Sequence, residues 1–167
     1  MNCVKAGADT LDGAIDLDDE TIINMIKEKG IFVNLSFFAA TLGLEDDLKK
    51  TDGKFSIAAL RNKSGRKIIE SGIKIGFASG VGPFPHGSQA LEFEYLVHYG
   101  MTAAQAIQSA TVTAAEMLGW QDRIGSIEKG KYADIIAVAG DPLKDITELG
   151  RVKFVMKGGE VVRNDQK

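Results

Sequence analysis

Scarcity constrains this sequence before any motif does. Its 167 residues include one cysteine, two histidines, three prolines and one tryptophan. A lone thiol, Cys3, cannot close an intramolecular disulfide, so a reducing, cytoplasmic setting is expected. Two histidines and one cysteine leave few candidates for a zinc site. Long apolar runs are also missing. The most apolar stretch, residues 31–43, is interrupted by Asn34, Ser36 and Thr41. It is too short and too polar to span a bilayer. The first nine residues hold no apolar core segment, so no signal peptide is expected. Excess positive charge is absent too. Twenty Lys+Arg stand against 23 Asp+Glu, a net charge of −3, which argues against nucleic-acid binding by bulk electrostatics.

What is present describes a folded enzyme-sized unit. Hydrophobic residues make up 44% and charged residues 26% of the chain, enough for a real core. Residues 8–11, 31–35 and 73–77 read as buried strands. The second and third each follow a helical segment closed by glycine, Gly30 and Gly72, which supplies a left-handed helix end. Helices are expected over 18–29, where Ile22, Met25, Ile26 and Lys29 share one face, and over 55–70. Residues 44–54 read as a looser, charged connection. Strand–helix–strand order predicts βαβ crossovers and a parallel sheet. After the third strand come three helical pieces. Thr102-Ala-Ala-Gln105 and Thr113-Ala-Ala-Glu116 both read as capping boxes, with a helix break at Thr111–Val112. The tail is different. Residues 133–139, 152–156 and 160–163 read as strands, the last two joined by a turn at Lys157-Gly158-Gly159. We expect a domain at 1–120 and a small β appendage at 121–167.

The tail also carries the most distinctive motifs. Ile124-Gly-Ser-Ile-Glu-Lys-Gly-Lys-Tyr-Ala-Asp-Ile-Ile-Ala-Val, Gly140-Asp-Pro-Leu and Val155-Met-Lys-Gly-Gly-Glu-Val-Val resemble the closing segment of the amidohydrolase superfamily. Phe84-Pro-His86-Gly87, Glu92-Phe-Glu-Tyr-Leu and Gly100-Met-Thr-Ala-Ala-Gln fit its imidazolonepropionase-like and Xaa-Pro dipeptidase-like branch. So does Val4-Lys-Ala-Gly-Ala-Asp-Thr-Leu. The resemblance implies an α/β fold, a partial (β/α)8 TIM-type barrel of about three βα units followed by the C-terminal share of a β-sandwich. It implies strands six to eight of such a barrel and a truncated relative of the hydrolases. The family's earlier strands carry a His-x-His pair, a bridging carboxylated lysine and a further histidine. Two more metal ligands of the family fall within this sequence. Both positions are glycine here, Gly13 in Thr10-Leu11-Asp12-Gly13 and Gly80 in Phe77-Ala78-Ser79-Gly80. Glycine offers a metal no side chain, so no binuclear metal site and no other cofactor is expected.

The chemistry that remains sits at strand ends. These offer Asp12, then Ser36 with Phe37 and Phe38, then Ser79 and His86. One reading makes Ser79 a nucleophile, His86 its base and Asp12 the orienting carboxylate, acting on amide or ester bonds of a small-molecule substrate. The other makes Ser79 a turn residue and His86 a loop anchor, in a non-catalytic assembly subunit or binding module. His98 reads as a helix-surface residue and Cys3 as a free thiol. The acidic run around Asp18, Asp19 and Glu20 reads as helix capping. Gly80-Val-Gly82 lacks the third glycine of a dinucleotide loop. Three parallel strands cannot close a barrel, and open edges need cover. A homo-oligomer, most simply a dimer, is therefore expected.

Overall fold

The structure, a computed structural model, describes residues 2–13, 17–42, 57–82 and 84–165. Short strands form where β-branched and aromatic residues alternate between glycine-closed helices. They are β1 (Thr10–Asp12), β2 (Phe32–Leu35) and β3 (Ile75–Phe77). All three are parallel, in the order β1-β2-β3. Thr10 pairs with Phe32 and Val33 with Ile75. Each strand is shorter than its apolar run predicts.

Helices connect and cover this sheet. α1 (Asn2–Ala6) precedes β1 and buries Val4. α2 (Glu20–Lys29) starts at Asp19, whose carboxylate accepts the Thr21 N–H at 2.7 Å. It ends at Gly30, where φ is +66°. α3 (Phe37–Leu42) follows β2 after one residue. α4 (Ile57–Ser71) then leads to β3. Ile26, Val33, Ile68 and Leu96 are fully buried in one cluster, each contributing about 1.5–3 kcal/mol of hydrophobic stabilisation. The expected connection over 44–54 lies outside the described residues.

The apolar stretch at 31–43 holds the expected strand and a helix that its sequence reading does not include. Its first part is strand and its second part is α3. Phe37 explains the bend. Its ring is almost fully buried, stacks on Tyr99 at 4.2 Å and lies against Gly65 of α4. A Cβ on Gly65 would fall 2.3 Å from that ring, so glycine there permits the close approach.

Beyond β3 run α5 (Leu91–His98), α6 (Ala103–Ser109) and α7 (Val112–Met117). The first expected capping box is present: Thr102 Oγ1 accepts the Gln105 N–H at 3.2 Å and Gln105 Oε1 accepts the Thr102 N–H at 2.8 Å. The second is not. Thr113 lies inside α7, whose N-cap is Thr111, and Thr111 donates its hydroxyl to Ile107 O instead. The short break between helices leaves Thr113 no free turn to cap.

The tail forms an antiparallel sheet of β4 (Ile135–Ala137), β5 (Phe154–Lys157) and β6 (Glu160–Asn164), ordered β4-β5-β6. Gly158 and Gly159 turn the β5–β6 hairpin with φ of +57° and +86°, the positive pair that a tight hairpin turn needs. Asp134 accepts the Gly158 N–H at 2.7 Å and pairs with Lys157. A 3-10 turn, Ile146–Gly150, is capped by Asp145 and packs on α5. Among the described residues the fold is thus α/β, with one parallel and one small antiparallel sheet and no closed barrel. Among the described residues no helix is long and apolar enough to cross a membrane.

The α6 cap gives a direct check. Thr102→Ala removes the side-chain acceptor for the Gln105 N–H and is expected to cost about 1 kcal/mol. Chemical denaturation should show a lower midpoint with an unchanged slope. An unchanged midpoint would show that the box contributes nothing.

Candidate functional site

The parallel sheet gathers its polar strand ends along one edge. Asp12 closes β1, Ser36 follows β2, and Ser79 and Gly80 follow β3. Parallel pairing aligns them, with Asp12 opposite Asn34 and Asn34 opposite Gly76. Asn34 is buried and donates its side-chain N–H to Asp12. Its side-chain amide oxygen Oδ1, and the Ser36 hydroxyl, are buried without a hydrogen-bond partner.

Of the three residues proposed from sequence, Asp12 and Ser79 stand at this edge and His86 on the loop between β3 and α5, and they are not linked. Among the described residues no hydrogen bond joins Ser79, His86 and Asp12 to one another. Asp12 is engaged by Asn34. His86 is exposed on the loop before α5. Gln89 Oε1 accepts the Gly87 N–H at 2.6 Å, which turns the Gln89 amide nitrogen toward His86 Nδ1 at 3.4 Å. An amide nitrogen can only donate, so a hydrogen bond here uses Nδ1 as the acceptor. To act as a base through Nδ1, His86 must first release Gln89. His98 is exposed and Cys3 is an exposed free thiol.

The two glycines at the resembled ligand positions are shaped for glycine. Gly13 has φ +62° and Gly80 has φ +61°, a region that side-chain-bearing residues rarely adopt. A Cβ on Gly80 would fall 2.3 Å from Ser36 Oγ and 3.0 Å from Ala39 Cβ. The Ser36 hydroxyl therefore occupies the root of any side chain at position 80. Among the described residues no three His, Cys, Asp or Glu side chains converge to hold a metal ion. Gly13 and Gly80 therefore offer a metal no side-chain donor at this edge.

One residue with a clear role at this edge is unforeseen. Glu92, near the start of α5, is completely buried. Its two carboxylate oxygens accept the N–H groups of Phe37 at 2.8 Å and Phe38 at 2.9 Å, the first two of α3. Burial pushes its carboxyl up to about 7, against the pull of these two N–H groups. The sequence signal was the spacing. Glu92 falls four residues before Leu96, on the buried side of α5. A groove of about 720 Å³ elsewhere holds none of the strand-end residues; Ile107, Ala114, Leu118, Lys131, Ile135 and Leu149 are among those lining it.

A parallel βαβαβ sheet with polar strand ends, followed by a small antiparallel sheet, defines the class: a portion of a (β/α)-barrel fold. The amidohydrolase family model matches residues 3–162. The chain belongs to the amidohydrolase family. It is 33% identical to the ochratoxinase of Aspergillus niger over an alignment of 174 positions, covering 98% of this chain and 35% of that protein. It is 36% identical over 107 positions to the imidazolonepropionase of Phocaeicola vulgatus, covering 60% of this chain and 26% of that protein. The crystal structure of a Xaa-Pro dipeptidase superposes with a TM-score of 0.82 at 33% identity, over 96% of this chain and 41% of that one. The chain thus spans roughly a third of the curated relatives it matches.

The Gly80–Ser36 contact can be tested by substitution. Gly80→Ala is expected to destabilise by about 1–3 kcal/mol through its positive φ and the clash. Adding Ser36→Ala should recover part of that loss, a non-additive pair. Strict additivity in denaturation midpoints would show that the two positions do not compete for space.

Proposed function

We propose that this chain is a hydrolase of amide or ester bonds that works at the carboxyl edge of its parallel sheet without a binuclear metal centre. One observation carries the reading: an amidohydrolase-family match runs across nearly the whole chain, with Asp12 and Ser79 at or after strand ends of the parallel sheet and His86 on the loop between β3 and α5. A dipeptidase among the similar structures favours an amide or a related acyl substrate. Once freed from Gln89, His86 would take the Ser79 hydroxyl proton as the oxygen bonds to the substrate carbonyl carbon. The same proton then goes to the departing amine or alcohol, and water completes the turnover. Esters with good leaving groups demand least of such a site.

The test uses an aryl ester and the full chain. His86→Ala and Ser79→Ala should each lower kcat/KM by at least about 100-fold, and a chelator should leave the rate unchanged. Activity that survives both substitutions discards this residue set. Activity lost to chelation and restored by Zn²⁺ discards the metal-free reading.

A second reading is a non-catalytic binding or assembly module. It is favoured by the engaged states of His86 and Asp12. Both readings include a homodimer. β1 and β3 are the outer strands of their sheet. The outer strand β6 leaves Val161 50% and Val162 67% exposed. Unpaired strand edges and exposed apolar side chains favour association. Light scattering at micromolar concentration should give twice the chain mass. A monodisperse monomer would overturn the dimer.

A further inference from the structure

Glu92 does more than fill space at the candidate edge. Its carboxylate holds the first two N–H groups of α3, and α3 starts immediately after Ser36. Phe38, the second residue held, packs its ring 4.5 Å from Phe84 and 5.8 Å from Tyr95. Phe84 is buried and lies two residues before His86. A continuous set of contacts thus runs from Glu92 through Phe38 and Phe84 to the His86 loop.

We propose that Glu92 is a positioning residue whose protonation state sets the seat of α3 and, through Phe38 and Phe84, the placement of the His86 loop. The ionised carboxylate gives one full acceptor to each N–H. Protonation converts one oxygen to a hydroxyl, a poorer acceptor, and loosens one of the two bonds. The proton comes from and returns to solvent.

The surroundings isolate this group. On or beside α5 stand Glu94, Tyr95, His98 and Tyr99. On α4, Arg66 bonds His98 O and Lys67 bonds Asp18 O. The 3-10 turn brings Glu148, which is paired with Arg151. β2, α3 and α6 carry no ionisable side chain. Among the described residues, only burial and the two N–H groups act on the Glu92 carboxyl. Its titration range is raised from 4.5 to about 7. Between those values the folded chain holds a proton that the unfolded chain has released. Global stability should therefore rise as the pH falls through that window, while the α3 contact loosens.

The test is structural, so it stands apart from the hydrolase reading. Amide resonances of the full ¹⁵N-labelled chain are followed from pH 5 to 9. Histidine rings ordinarily titrate in this range, so the deciding protein carries His86→Gln and His98→Gln. Phe37, Phe38 and Phe84 amides are expected to shift together with one midpoint near 7. Glu92→Gln should flatten all three; if that variant fails to fold, the double-histidine variant decides alone. Flat Phe37 and Phe38 amides in that variant overturn the proposal. Titration at Phe37 and Phe38 without Phe84 overturns the link to the loop.

Discussion

A single buried carboxylate ties the two halves of the parallel layer together. Glu92 comes from the helix after β3, yet its oxygens satisfy the backbone of the helix after β2. The start of a helix has unpaired N–H groups that are costly to bury. Here Phe37 is buried and stacked on Tyr99, and the half-buried Phe38 packs against Phe84. A neutral, apolar residue at 92 would leave both donors unpaired in the core. Without that acceptor α3 has no reason to begin at Phe37, and the seat of Phe37 against Gly65 and Tyr99 loses its support. The fully buried acid is an energetic burden on the folded state and also what makes the bend after β2 possible.

Much of this architecture was legible in the sequence because the signals are local. Glycine-closed helices at Gly30 and Gly72, the Thr102 box and the Gly158-Gly159 turn each depend on a few neighbouring residues. The motifs at 124–138 and 155–162 carry the family resemblance, which the comparisons bear out. Long-range pairings were not legible. Nothing in the run at 31–43 announces a helix, because its start depends on an acid 55 residues further along. Thr113 looked like a cap only while its neighbours were unknown. At the candidate edge, the placement of Asp12 and Ser79 followed from strand order. The partners of Asp12 and His86, Asn34 and Gln89, depend on rotamers and loop shape that residue types do not encode.

The sheet edge also shows how identity of fold and identity of chemistry separate. The chain keeps the family's backbone frame closely enough to superpose at a TM-score of 0.82. Strand geometry and helix packing are set by apolar side chains such as Val33, Ile68 and Leu96, and these do not depend on what the strand ends carry. The frame alone does not say what chemistry the strand ends carry.

Ser36 limits what position 80 can become. A glycine codon can become an aspartate codon through one base change, so a carboxylate there is a short step away in sequence. Yet that step leads into space the serine hydroxyl already fills and onto a backbone turned to φ +61°. For a carboxylate to sit there, the Ser36 hydroxyl must turn aside or be replaced, so the two positions constrain one another.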